Sequence, residues 1–461
     1  VRAAMQDQSE LAQYFEGRPR DQAWADNEMR LGLIHRLAGD EPAMSKAVAA
    51  ALDAFRTLGH KPGEAAALGN LGLAHAMAGR WDEALRDYRA ALELSTSLGN
   101  AMHVASAKNN VADALQHIGA EQMDSAARAK TQAEADAQWE KANQNLKKAA
   151  VLVNEVIAFA ETSGAASLGC VALHTRGEIL LAARQLEPAV ETLERARKEA
   201  ARLRAVQTEL AVTVTLARTR LRQGDWSRAL EEARRAVEGF WASVGGPTGV
   251  DTERVRQLTP DVFDIGVTAA WAAKSGDDMG YFMEAGRAQA LLRGLGGRSA
   301  ALRAAVPEAV SKRLEAATAE KVAAFGAWQS ATGRRAAQDA RKKYLTLRSV
   351  EAEAIDAVRD AQSEAARRLA PARPVSISEL QRRLRQTSEP GLRQLFVLFN
   401  FQRDQGFALV VEEDDAAAHP YSADDMTTLR SALRSLAATR AGELDEDALA
   451  SLKRVCLLYT S

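Results

Sequence analysis

The chain has 461 residues, of which 47% are hydrophobic and 26% charged, with a formal net charge of −1. That balance excludes a disordered chain and leaves no basic excess with which to hold nucleic acid. No run of about 18 apolar residues is present to span a membrane.

Residues 1–24 form an expected helical lead-in, with a turn at Gly17, Arg18 and Pro19. From 25 to 298 one frame recurs. Gly32, Gly72 and Ala112 stand forty residues apart, and Gly177 and Ala217 repeat that spacing after an interruption. A turn is expected seven residues after each, at Gly39, Gly79, Gly119, Arg184 and Gly224. A second helix then presents an alanine, a larger residue four later and an alanine three after that, as in Ala84, Tyr88 and Ala91 or Ala189, Leu193 and Ala196. That spacing puts all three on one helical face. A fixed period of this size predicts stacked helix pairs, an α-solenoid.

From Ala112 to Gly177 the interval is 65 residues, 25 more than the repeat. The surplus has no glycine or proline after Gly119 and is rich in helix formers. It predicts an extended hairpin at about 120–163, ending near Gly164. A weaker sixth pair is expected at about 260–295 with Gly276 as its turn. Residues 299–370 predict a narrow, projecting antiparallel helical hairpin with its turn near Gly333. Leu345, Ile355 and Val358 are among its few apolar residues.

The prolines Pro371 and Pro374 mark a boundary, since proline cannot continue a helix. From 371 to 455 a mixed α/β segment is expected. Ser378 with Gln381 forms a candidate capping box. The apolar run 394–401 predicts a buried strand, Asp404 to Gly406 a hairpin turn, and Phe407 to Val411 a second strand. Met426, Leu429, Leu433 and Leu436 recur at helical spacing.

Gly72, Gly79, Trp81, Ala84, Tyr88 and Ala91 resemble the tetratricopeptide motif in a forty-residue variant. Three further features resemble the CHAT family, caspase-like domains that follow tetratricopeptide arrays. These are the helix Tyr281 to Leu295, the helical hairpin leading to Pro371–Pro374, and the strand pair Leu395 to Val411. The resemblance implies a bacterial-type mainly helical protein: a solenoid, a helical hairpin and the start of a caspase-like domain. Peptidases of that family use a histidine and a cysteine. After Pro374 this chain offers only His419 and Cys456. Cys456 lies in 456–461, which reads like adapter-derived sequence. The expectation is a fragment with no catalytic residues, and so no enzyme.

Two cysteines, Cys170 and Cys456, cannot build a disulfide framework or a four-cysteine metal site. They fit a reducing, cytoplasmic compartment. His35 and His75 occupy one repeat position and Cys170 starts a first helix, so packing roles are expected for all three. Gly294, Gly296 and Gly297 end a helix rather than cradle a phosphate. Trp81, Trp139 and Trp226 are expected to pack at the entry of second helices. No cofactor or metal is expected.

The functional expectation is a groove lined by the first helices. Its polar end is assigned to Asn109, Asp113, Gln116, His117, His174, Glu178, Arg218 and Arg222, and its apolar end to Leu33, Leu37, Leu73 and Met77. Such a surface suits an extended or helical peptide. The expected function is a protein-interaction scaffold that regulates an attached effector. The alternative is the regulatory fragment of a caspase-like cysteine peptidase.

Overall fold

The computed structural model describes residues 20–245, 260–294, 306–330, 334–368, 377–387 and most of 396–428. The lead-in before 20, the turn at Gly333, the prolines after Leu369, the helix expected from Met426 and the tail at 456–461 lie outside the described residues, apart from a few positions of 424–431.

Ten helices form the repeating array: α1 (Gln22–Ala38), α2 (Glu41–Thr57), α3 (Lys61–Met77), α4 (Trp81–Ser97), α5 (Ala101–Ala127), α6 (Gln132–Ser163), α7 (Ala166–Ala182), α8 (Leu186–Arg202), α9 (Val206–Gln223) and α10 (Trp226–Gly245). Odd-numbered helices are the first of each pair. A further helix, α11 (Pro260–Ala272), follows in the same compact unit.

Local chemistry punctuates the array. Asp21, Asp40, His60, Asn100 and Thr131 each accept a hydrogen bond from the backbone N–H three residues on, capping α1, α2, α3, α5 and α6. Between helices one residue takes a left-handed backbone, and it recurs every twenty residues. Gly39, Gly59, Gly79 and Gly99 do so, then Gly164, Arg184, Arg204 and Gly224. At Gly79 the turn closes as N–H of Gly79 to the carbonyl of Ala76 at 3.0 Å and N–H of Arg80 to that of His75 at 2.9 Å. Arg184 and Arg204 make the same bonds without the conformational ease of glycine.

The small residues of the period sit where two helices cross. A Cβ on Gly32 would lie 2.6 Å from Val48, one on Gly72 2.6 Å from the Tyr88 ring, and one on Gly177 2.4 Å from Leu193. Ala112 and Ala217 are fully buried. Opposite them, Ala84, Tyr88, Ala91 and Ala189, Leu193, Ala196 are buried as a face.

Gly119 is not a turn. It lies inside α5, and a Cβ there would meet Leu146 at 3.0 Å and the carbonyl of Ala142 at 3.4 Å. Ala142, Leu146 and Ala149 repeat the alanine–bulky–alanine spacing, so the long pair crosses closely a second time. The 27-residue α5 and 32-residue α6 exceed the 17-residue α3 and α4 by ten and fifteen residues. Together these are the 25 surplus residues of the interval, about seven turns divided unequally between the two arms. Trp139 falls within α6, not at a helix entry, and is 50% exposed. Trp81 and Trp226 do stand at the first positions of α4 and α10.

From α1 to α9 each helix packs on its chain neighbours. First helices also approach one another directly, α5 on α7, α7 on α9 and α9 on α11, whereas among the described contacts α2, α4, α6 and α8 do not come as close to one another. The wider gap between second helices is bridged by long side chains, as in Arg195 to Glu161 (2.7 Å) and Arg197 to Glu232 (2.6 Å). Tighter spacing on one layer makes the stack curve towards the first helices.

The second compact unit holds α12 (Gly276–Gly294), α13 (Glu308–Ser330), α14 (Arg334–Arg368), α15 (Ile377–Thr387) and three strands, β1 (Phe396–Phe401), β2 (Gly406–Val411) and β3 (Ala416–Tyr421). The packing divides the chain at 273/274 instead of 298. The reason is that α12 buries Met279, Phe282 and Met283 in this unit, and Gly280 approaches Ile377 and Leu409. The sheet is an antiparallel meander, Leu398 opposite Leu409 and Leu409 opposite Ala418. β3 follows a turn in which the N–H of Glu412 bonds the carbonyl of Asp415 at 2.8 Å. α15 begins at Ile377, so Ser378 lies in its first turn and not before it. α13 and α14 pack on each other around Ala317, Ala324, Ala354 and Val358 with a buried Lys321–Glu351 pair at 3.0 Å, while Leu345 is exposed.

Two glycines three residues apart in α3 give opposite expectations. Gly72→Ala forces its methyl into Tyr88 and costs about 1–3 kcal/mol. Gly69→Ala meets nothing within 4 Å and gains about 1 kcal/mol of helix propensity. Urea unfolding followed by circular dichroism separates them, and equal effects would contradict the crossing geometry. Arg204→Gly relieves a left-handed arginine and raises stability by about 0.5–1 kcal/mol after the unfolded-chain entropy offset, read as a rise in melting temperature.

Candidate functional site

The curvature places α5, α7, α9 and α11 side by side, and the expected polar residues fall on these helices. Along α5, Asp113 and His117 are one turn apart, with Asp113 Oδ1 3.8 Å from His117 Nε2. The His117 ring stacks on Trp81 of the preceding pair, centroids 3.8 Å apart and planes 6° from parallel. On α7, His174 Nε2 lies 3.8 Å from Glu178 Oε1. It also lies 3.0 Å from Thr215 Oγ1 on α9. Thr215 Oγ1 also lies 3.2 Å from the carbonyl oxygen of Ala211. Arg218 on α9 bonds Asp261 on α11, Nη2 to Oδ2 2.8 Å. Arg222, one turn further along α9, is exposed.

Electrostatics joins these groups across three helices. Burial pushes the Asp113 carboxyl above its ordinary range; Glu178 adds to the rise, and His117 and His174 oppose it. For Glu178 burial also acts upwards, but His174, His117, Arg218 and a hydrogen bond from the Thr215 side chain outweigh it and leave its carboxyl below the ordinary range. Burial lowers Arg222, and the guanidinium of Arg218 and that of Arg184 lower it further against the opposing charge of Asp124 on α5.

Asn109 and Gln116 are corrections. They are only 5% and 6% exposed, and their side-chain oxygens Oδ1 and Oε1 are buried without a hydrogen-bond partner. Gln116 lies about 100° around the helix from His117, so both cannot face one wall. At the other end of the array Leu33 is exposed and Leu73 and Met77 half-buried; the side chain of Leu37 lies outside the described residues.

The residues given packing roles behave accordingly. His75 Nδ1 bonds Asp87 Oδ2 at 2.8 Å, and His35 faces Asp40 at 3.9 Å. Cys170 is 2% exposed, its thiol donates to the carbonyl of Ala196 at 3.4 Å, and burial with Glu199 raises its pKa. α12 ends at Gly294. Among the described residues no group of three or more His, Cys, Asp or Glu side chains is placed to hold a metal ion, and no helix is long and apolar enough to cross a membrane. Trp81 as a ring floor for His117 was not expected from sequence, although tryptophan recurs at that place in the frame as Trp226.

The architecture is thus an α-solenoid of helix pairs with a polar first-helix face. Residues 21–97, which hold α1 to α4, match the family model for the tetratricopeptide repeat. Among solved structures the chain is similar to a Rap protein complexed with competence and sporulation factor, at 13% identity over 77% of this chain and 96% of that one, TM-score 0.41. It is also similar to BtubC (BKLC) from P. vanneervenii, at 18% identity over 53% and 91%, TM-score 0.37. Neither likeness is high enough to bring a ligand or an activity with it. No curated protein matches the sequence significantly.

The sign of the Asp113 shift predicts a pH effect. The groups facing its carboxyl are His117 on its own helix, His174 and Glu178 on α7, and the phenol of Tyr88 on α4. A raised acid binds protons more tightly in the folded chain, so its ionised form opposes folding above the raised value, and that cost vanishes below about 3.9, its unfolded value. Asp113→Asn should therefore raise the melting temperature at pH 8, with the gain shrinking to nothing as pH falls towards 4. A gain independent of pH would reject burial of the charge as the cause.

Proposed function

We propose that this protein is an interaction scaffold whose first-helix face binds a protein or peptide and thereby regulates the attached α/β unit. One observation carries this reading. Asp113, His117, His174, Glu178, Arg218 and Arg222 come from separate repeats yet act electrostatically on one another across α5, α7 and α9. A purely structural solenoid needs no such surface, because its stability comes from stacking of apolar stripes. Charged groups arrayed along a curved wall give specificity and encounter rate to a polypeptide ligand.

The chain is further proposed to have no peptidase activity of its own. Thiolate chemistry needs an accessible, acidified cysteine, and Cys170 is buried with a raised pKa. The reading of the second unit as the opening of a caspase-like domain, and of the chain as part of a bacterial peptidase regulator, rests on the resemblance of its helix and strand order. A cytoplasmic setting accords with the two-cysteine composition.

The test is selection of a random peptide library on the protein. The selected peptides are then measured on a variant carrying Asp113→Ala, Glu178→Ala, Arg218→Ala and Arg222→Ala, its helicity checked by circular dichroism. Loss of affinity of about tenfold or more supports the face as the binding site, that factor being about 1.4 kcal/mol. Equal affinity for the two proteins would move binding elsewhere and reject the proposal.

A further inference from the structure

The face is not uniform, and its order along the array is informative. On α1 and α3 it presents Leu33, Leu73 and Met77. The position of Leu33 and Leu73 is taken by Asp113 on α5 and Glu178 on α7, and that of Met77 by His117 and Ala182. The charges acting on Asp113 are those of Glu178 and two histidines, whereas Glu178 also feels Arg218. On α9 the sign reverses. Arg222 is exposed and feels the like charges of Arg218 and Arg184 against Asp124 alone. Successive repeats therefore offer an apolar, then an acidic, then a basic zone.

We infer that the face takes a polypeptide segment of bipolar charge: apolar residues over α1 and α3, a lysine or arginine over Asp113 and Glu178, and an aspartate or glutamate over Arg222. This inference rests on the scaffold reading above and specifies its ligand. Complementarity of sign drives the choice. A uniformly acidic segment would meet Asp113 and Glu178, and a uniformly basic one would meet Arg222 and Arg184. Each like-charge contact in a partly buried site opposes binding. The spacing follows from the helices. Adjacent first helices lie about 8–10 Å apart, and an extended chain advances about 3.3 Å per residue, so contact residues recur roughly every third position. Carboxylate recognition at Arg222 is strengthened by its fork of donors, which can bind both oxygens.

The experiment uses two synthetic peptides of about fifteen residues and identical composition, with contact residues at every third place and serine and glycine between. One reads apolar, apolar, arginine, arginine, glutamate; the other reads apolar, apolar, glutamate, arginine, arginine. Their affinities for the full chain are measured by fluorescence anisotropy. The first is expected to bind at least tenfold tighter. In the charge-exchanged protein carrying Asp113→Arg, Glu178→Arg and Arg222→Glu that preference should invert. The wild-type comparison stands by itself should the variant fail to fold. Equal binding of the two peptides, or tighter binding of the second, overturns the zonal order while leaving library peptides selected on the face as support for the scaffold reading. If neither peptide binds, the zonal inference falls. If, in addition, library peptides keep their affinity for the alanine variant, the scaffold reading falls with it.

Discussion

Everything in the first unit depends on how closely two helices cross within a pair. With glycine or alanine at one side of the crossing, the partner helix can insert a side chain where a Cβ would otherwise stand. The partner compensates in volume: tyrosine opposite Gly72, leucine opposite Gly177, valine opposite Gly32. Packing of this kind is unforgiving in either direction, because an extra methyl has nowhere to go and a missing one leaves a void. The period of the sequence is therefore a record of contacts. It also fixes the rotation between pairs, since each crossing is set by the same few atoms. The inner spacing of first helices follows from that rotation.

The long pair shows how this constraint tolerates insertion. Ten and fifteen extra residues on two antiparallel arms could have shifted the apolar stripe off its partner. They do not, because the added segment carries its own crossing, Gly119 against Leu146, with Ala142 and Ala149 flanking. The extension is therefore a repeated unit of packing rather than a loop. It has a functional side as well. Asp124, the carboxylate that opposes the like charges around Arg222, lies beyond the length of a regular first helix, in the added turns of α5.

Much of this was legible in the sequence and some was not, for reasons that differ. The pairs, the period and the buried faces were legible because apolar spacing is a direct projection of helical geometry. Gly119 misled because glycine is equally at home in a left-handed turn and at a close crossing. The alanine–leucine–alanine spacing after it, at Ala142, Leu146 and Ala149, is the signal that separates the two. The twenty-residue recurrence of left-handed positions was hidden wherever arginine replaces glycine, at Arg184 and Arg204. β3 was missed because Ala416 to Tyr421 has no β-branched residue and contains Pro420. Such a segment becomes a strand through its pairing with β2 and not by propensity. On the face, helical phase assigns Asp113, His174, Glu178 and Arg218 to the first helices α5, α7 and α9, where they lie. It misplaces Asn109 and Gln116, because their burial depends on how near neighbouring helices lie, which phase alone does not state.

The chemistry of the face follows from being only partly buried. A carboxylate fully in water would be indifferent to a histidine 3.8 Å away, since exposed pairs contribute little. Where solvent is reduced the same separation matters, and it matters oppositely for two acids on adjacent helices. Asp113 answers to burial and to Glu178, and its ionised form is disfavoured. Glu178 has in addition Arg218 and the Thr215 hydroxyl, and its ionised form is favoured. The arrangement thus divides two chemically similar groups into one firmly charged and one whose charge is raised in cost. A ligand cation approaching both would complete the charge balance of Asp113 more than that of Glu178, which already has a cation. The position on α5 is then the one at which a bound segment changes most, and the stacking of His117 on Trp81 ties that position to the preceding repeat.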